Sequence, residues 1–349
     1  GGTSIMAIID KPSDYFNTVL YTGNGGTQSI TGVGFQPDLV WGKSRSITEG
    51  NSLNDVVRGA TKSILTNNNA AQETISGVTS FNSDGFSLGS NAHMNANSSS
   101  MVSWNWKAGT SFTNDASSTG IGSMDSAGSV NEEAGFAIVS YTGNETASTL
   151  KHGLSTVPQM IIIKGLISAR DWVVGQHTQG WTKSAYLNEA NAFSNQTHFN
   201  NTAPTSSVFT IEGGSNSNVN TNNAAYISYI FSERQGYSKF GSYVGNGNAD
   251  GPFVYTGFKP AFVMVKLSSG ADDWQVLDNK RSPINIVGGY LRPNSSGATV
   301  SNNVIDFLSN GFKLRTSAGS WNPNGGTFIY MAFAENPFVA SNFNVATAR

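Results

Sequence analysis

Apolar residues along this 349-residue chain come in short runs between glycine-, serine- and asparagine-rich stretches. Three of these runs lie between a proline and a lysine: DLVWG from Pro37 to Lys43, QMIII from Pro158 to Lys164, and AFVMV from Pro260 to Lys266. Each is rich in β-branched and aromatic residues and too brief for a helix, so each predicts a largely buried strand. Proline at a strand's start donates no ladder hydrogen bond and pre-sets φ, which is tolerated there and hardly elsewhere in a sheet. A second pattern alternates: MVSWNW (101–106), YISYIF (226–231) and FIYMAF (328–333), with Glu233 and Glu335 following the last two. Period two puts one set of rings on each face, which predicts a sheet packed on one side and wetted on the other.

These patterns recur in a fixed order. YTGN at 21–24 and 141–144 and YVGN at 243–246 each precede one of the prolines by 16 or 17 residues. A phenylalanine strand follows each lysine, in NSDGFSLG around Phe86, SSVFTIEG around Phe209 and LSNGFKLR around Phe312, before the alternating strand closes the unit. Repetition with matched strand order is far more specific than any single short motif. It predicts an all-β chain of three tandem β-sandwich modules, jelly-roll or lectin-like, with an arrangement about a pseudo-threefold axis as one possibility. The expected division is an N-terminal arm (1–14), modules at 15–107, 136–235 and 236–338, a linker at 108–135 and a C-terminal tail (339–349). The short boundary at 233–239 implies that the second and third modules dock closely. Helix is expected only as one or two turns within SLNDVVRGATKSIL (52–65), broken by Gly59.

Composition narrows the function. Only 12% of residues are charged, against about 25% in ordinary domains. The net charge of −2, with no basic cluster, gives no electrostatic footprint for nucleic acid. With no cysteine, thiol catalysis and Cys-ligated metal are excluded. No stretch approaches the ~20 apolar residues of a membrane-spanning helix, so no membrane insertion is expected. The opening GGTSIMAIIDK lacks the charged start and apolar length of a signal peptide, and its first glycine implies a processed chain or a fragment.

No catalytic constellation emerges. His93, His152, His177 and His198 have no metal-binding spacing and read as surface or loop residues. The neighbouring acids Glu132–Glu133 and Asp272–Asp273 would point to opposite faces of a strand, so neither pair forms a glycosidase dyad. Asn246, Asn248 and Asp250 in GNGNADG resemble half a calcium loop, but Gly257 stands where the bidentate acid belongs, and a hairpin turn is the better reading. No cofactor is expected. Trp172 and Trp274, each eight residues past a repeated lysine, read as core or inter-sheet residues, with Asn51 in their place in the first module. Trp181, Asn294 and Trp321 lie in polar loops and are the expected exposed receptor contacts.

The phrases YFNTVLYTGNGGTQSITGVGFQPDLVWGKSRS, GFAIVSYTGN, GYSKFGSYVGNGNADGPFVYTGFKPAFVMVK, IDFLSNGFKLRT and FIYMAFAENPF resemble a family of bacteriophage virion proteins common in marine phages. The resemblance runs from about Lys11 to Arg349; the second module departs from it, with VPQM where GFxP is expected. It implies a non-enzymatic structural or tail-fibre protein on the virion surface, in contact with other virion proteins and with a host glycan or receptor. A homo-oligomer, most simply a trimer, is expected. The alternatives are a capsid decoration, head fibre or knob and, ranked last, a polysaccharide depolymerase.

Overall fold

A computed structural model describes residues 7–214, 218–342 and 344–347. Parts of the expected arm (1–6) and tail (343, 348 and 349) lie outside the described residues. The chain is all-β, with antiparallel sheets and, among the described residues, helix confined to pieces of three or four residues.

The repeated phrases become repeated strands. The main sheet of the first segment places the opening strand Phe16–Thr22 beside the closing strand Ser100–Trp106, then the lysine strand Leu39–Ser44 and its follower Ser52–Asp55. The second segment repeats this order with Phe136–Thr142, Ala225–Phe231, Met160–Gly165 and Val173–Gln176. The third does so with Ser238–Val244, Thr327–Pro337, Phe258–Leu267 and Gln275–Asp278. Register agrees as well, for Lys43 lies opposite Val102, Lys164 opposite Ile227 and Lys266 opposite Ile329. A smaller sheet holding the phenylalanine strand (Gly85–Leu88, Val208–Ile211 or Gly311–Leu314) packs on one face of each main sheet.

The YTGN phrase is explained by local packing. The hydroxyls of Tyr21, Tyr141 and Tyr243 donate to the carbonyls of Met94, Val219 and Trp321 at 2.8, 2.8 and 3.0 Å. The residues after those carbonyls, Asn95, Asn220 and Asn322, are fully buried, and each accepts the backbone N–H of the phrase's own asparagine at 2.7 to 2.9 Å. Glycine is obligatory between them: a Cβ at Gly23, Gly143 or Gly245 would stand 2.0 to 2.2 Å from a backbone oxygen. The phrase is a structural clasp.

The alternation of the closing strands has a different meaning from the expected one. Their inner residues are buried on both faces. Val102, Trp104 and Trp106, Ile227, Tyr229 and Phe231, and Ile329, Met331 and Phe333 all belong to one apolar cluster shared by the three segments. Phe333 meets Phe16 at 5.2 Å and Phe231 at 6.0 Å between ring centroids, and Trp106 meets Phe262 at 5.7 Å. The face expected to meet water meets the other two sheets, so each main sheet lies between its own sandwich core and a common centre.

Polar contacts close the three sheets into a ring. The ammonium of Lys164 donates to Asn69 O of the first segment at 3.2 Å, that of Lys266 to Ala190 O of the second at 3.0 Å, and that of Lys43 to Ser295 O of the third at 2.9 Å. Backbone bonds repeat around each lysine: six residues on, Arg170 N, Asp272 N and Glu49 N donate to Asn69 O, Ala190 O and Ser296 O at 2.9, 2.8 and 3.1 Å. Trp172 Nε1 reaches Leu65 O and Trp274 Nε1 reaches Tyr186 O, while Asn51, in the same place, donates to Pro293 O. The first segment therefore clasps the second, the second the third, and the third the first.

Three further expectations are corrected. Residues 108–135 are no linker: Thr110–Asn114 pairs with Ser126–Asn131, which extends the second main sheet beside Phe136–Thr142. Its glycines and serines hid the strands, and Phe112 and Met124 anchor it to the second sandwich. SLNDVVRGATKSIL is two strands, Ser52–Asp55 and Lys62–Leu65, around a turn whose Gly59 has φ of 99°. Pro260 lies within a ten-residue strand instead of at its start, and the ladder shifts register on both sides of it, where the missing N–H is accommodated.

Candidate binding grooves at the joints between sheets

Two of the joints carry grooves built around the same local motif. In the first segment the Asp55 carboxylate accepts the backbone N–H groups of Val57 and Arg58 and, at 2.6 Å, the Arg58 Nε–H. In the third, Asp278 does the same for Lys280, Arg281 and the Arg281 Nε–H, again at 2.6 Å. Both ion pairs are enclosed, and each carboxylate also receives a donor from the adjacent segment: Tyr229 Oη–H at 2.7 Å on Asp55, Trp104 Nε1–H at 3.1 Å on Asp278. Burying such a pair is costly unless every lone pair is used, and these are. At the remaining joint Gln176 takes the aspartate's place, and it and His177 reach Gly241 O and Phe240 O.

The groove between the first and second segments holds about 940 Å³ and is lined by Arg58, Gln72, Leu166, Tyr141, Met124 and the polar residues of the added hairpin, Asp115 and Asp125 among them. The groove between the third and first holds about 650 Å³, with Arg281, Thr299 and Arg45 where the other has Arg58, Gln72 and Leu166. The equivalence follows from the clasp: Thr299 N donates to Arg45 O as Gln72 N donates to Leu166 O. The grooves occupy matching places and differ in chemistry.

Among the described residues that line the two grooves no acid–base pair is poised. Asp115 binds the hydroxyl of Ser117 and the N–H of Ser118, which holds its carboxyl below the usual carboxylate range, and Asp125 accepts the N–H of Ala116. Burial raises Asp38 to about 6, but its carboxylate is held by the Ala108 N–H inside the protein. Ser184, His198 and Glu212 form a row that sequence reading missed: Ser184 Oγ lies 2.8 Å from His198 Nδ1, and His198 Nε2 lies 4.0 Å from Glu212 Oε1. Ser184 and His198 are buried, burial lowers the histidine's pKa, and the row lines neither groove. That arrangement fits a packed strand better than an exposed nucleophile. Among the described residues no three His, Asp or Glu side chains are grouped to hold a metal ion, and no helix is long and apolar enough to cross a membrane.

The residues expected to touch a receptor are used elsewhere. Trp321 is 1% exposed and packs edge-on against Tyr290 inside the third sandwich; Trp181 is 8% exposed and packs against Phe199 in the second. Their loops fold back because an indole buried among apolar side chains gains more than one left in water. Asn294 is a latch, its Oδ1 accepting Trp274 N–H at 3.1 Å and its Nδ2 donating to Asp273 at 2.7 Å. Asn188 does the same for Trp172 and Asp171. Asn246, Asn248 and Asp250 form a chain of side-chain-to-backbone turns ending in an ion pair between Asp250 and Lys313 at 2.8 Å. Asn246 Oδ1 accepts from Asn248 N–H and Asn322 Nδ2, which explains the spacing without calcium. Of the histidines, His152 and His198 are buried, contrary to the surface reading, and burial pushes His152 down to about 4. The inter-sheet role expected of Trp172 and Trp274 is what the geometry gives.

Sequence reading missed Arg45 and the Asp-x-x-Arg turns. The signal was present in DVVR (55–58) and DNKR (278–281), but the second segment reads QHTQ and breaks the repeat. Neither a curated protein nor a solved structure matches the chain. Residues 11–337, nearly the whole span of the three sheets, match the family described as Domain of unknown function (DUF7483), and the chain belongs to that family.

Proposed function

We propose that this chain is a non-enzymatic bacteriophage virion surface protein, a tail-fibre or adhesin component built of three tandem copies of one β-sandwich and touching host-surface glycan through the joint grooves. One observation carries the reading: the repeated tyrosines, asparagines and lysines are consumed in holding the fold, while the residues that differ between equivalent joints line open grooves. A rigid repeated frame with divergent polar clefts suits recognition better than turnover. The partners of this reading are other virion proteins and a host glycan, and the setting is the outside of the particle. Immunogold labelling of intact virions, with binding of the purified chain to host envelope fractions, tests it. Label at the tail tip and binding to envelope support it; a chain absent from virions, or one that binds no envelope fraction, refutes it.

A second reading, a capsid decoration or head-fibre knob, is favoured by the ring of three similar sheets, which suits a site of local threefold symmetry on a shell. Label on the head instead of the tail selects it. A homo-oligomer, most simply a trimer of such chains, belongs to the same reading; sedimentation of the purified protein separates monomer from trimer. Depolymerase activity ranks last, and release of reducing ends from host polysaccharide would establish it.

A further inference from the structure

We infer that the groove between the third and first segments is a subsite for an acidic saccharide, with Arg45 as the residue that binds its carboxylate. This deepens the glycan-contact reading and rests on it for its biological setting.

Arg45 follows the lysine strand, where the other two segments carry Leu166 and Ser268. Its backbone is fixed on both sides, Arg45 N donating to Ser100 O at 2.7 Å and Arg45 O accepting Thr299 N–H at 2.9 Å. Its guanidinium is not similarly engaged: Nε is enclosed and meets no acceptor among the described residues, and the same holds for Thr299 Oγ1 in the same groove. An enclosed donor without a partner is costly in a native protein. Burial together with the like charge of Arg281 weakens Arg45's hold on its proton, with Asp278 opposing. Asp278 is already bound by Arg281 Nε–H and Trp104 Nε1–H, so two guanidinium groups face one committed carboxylate and one positive charge is left over.

The rest of the lining selects the ligand. A guanidinium fork matches a carboxylate in two parallel hydrogen bonds. Asn302 and Asn303 are exposed amides suited to sugar hydroxyls, and Ile284, 73% exposed, offers an apolar surface for the C–H face of a pyranose. The groove's 650 Å³ falls in the range of small-ligand sites. An anion that also presents hydroxyls and one apolar face is a uronic- or sialic-type sugar.

The test is calorimetric titration of the purified full chain with a glucuronate-containing oligosaccharide, the matched neutral oligosaccharide, and inorganic phosphate. We expect the acidic oligosaccharide to bind about tenfold or more tightly than either control. Arg45→Gln should weaken it by at least about tenfold, Arg45→Lys by less, and Asn302→Ala several-fold, with thermal unfolding of each variant confirming the fold. Equal affinity for the neutral sugar, equal affinity for phosphate, or an Arg45→Gln variant that binds like wild type overturns the inference. The outcome is independent of virion labelling: a chain found on virions that binds no acidic saccharide sinks this site alone. A chain that binds but is absent from virions sinks the virion reading and leaves the site standing.

Discussion

Raising the pH from 7 to about 9.5 should stabilise this protein, and Lys164→Met should remove about a third of the gain. In an unfolded chain each lysine keeps its proton until the pH passes about 10.5. In the folded ring, burial pushes Lys164 and Lys266 down to about 8, and burial with the charge of Arg281 pushes Lys43 to about 7. Between the folded and unfolded values the unfolded chain binds the extra proton, so every increment of pH favours the fold. At about 1.4 kcal/mol per tenfold change in proton affinity, Lys164 and Lys266 each contribute about 2 kcal/mol over this window and Lys43 about 3. No thiol titrates here, because the chain has no cysteine. Above about pH 10 the sign reverses. Burial raises Tyr141, Tyr229, Tyr237 and Tyr243 well above their ordinary values, so the unfolded chain ionises first and stability falls. Urea midpoints from tryptophan fluorescence at several pH values give the slope. Lys164→Met also leaves Asn69 O and Gly165 O without their ammonium donor, a loss that lowers the whole curve without tilting it. A wild-type midpoint that is flat or falls from pH 7 to 9.5, or a variant with the wild-type slope, refutes the reasoning.

Three other outcomes follow from the shared centre and the clasps. The excised second segment with its added hairpin, residues 108–235, should fail to give a cooperative transition, because Ile227, Tyr229 and Phe231 would face water; the whole chain should unfold in one step by calorimetry. Asn322→Ala removes one acceptor and three donor contacts of a fully buried amide and should cost about 3 kcal/mol in urea unfolding, whereas Thr142→Ala, at the exposed position of the second YTGN phrase, should change stability by under about 0.5 kcal/mol. Millimolar calcium should leave the melting temperature unchanged, since the oxygens of Asn246 and Asn248 are already bonded within their loop; a rise of several degrees would contradict that assignment.

Strand order was legible because period-two alternation and the proline–lysine spacing are local signals, and local chemistry sets them. What lay on the second face of each sheet was not legible. Trp104 and Trp106 would alternate identically whether their rings met solvent, a helix or another sheet, and only tertiary contact with Phe262 and Phe333 distinguishes these. Trp181 and Trp321 misled for the same reason: polar neighbours in sequence say nothing about which way a loop folds. Lys43, Lys164 and Lys266 were visible as a repeat, yet a lysine ordinarily caps a strand toward water. Their burial requires acceptors from an adjacent segment some tens to hundreds of residues away, which no local window contains. Arg45 was invisible because it belongs to no repeat at all.

Writing the ring into one polypeptide has a consequence for how such a protein can change. In an assembly of three identical subunits, a new arginine beside the lysine strand would arrive three times at once, one at every joint. Here the substitution at position 45 occurs singly, with leucine and serine at its two counterparts. Each of the two clefts is thus free to drift toward its own ligand while the lysine clasps keep the shared centre closed.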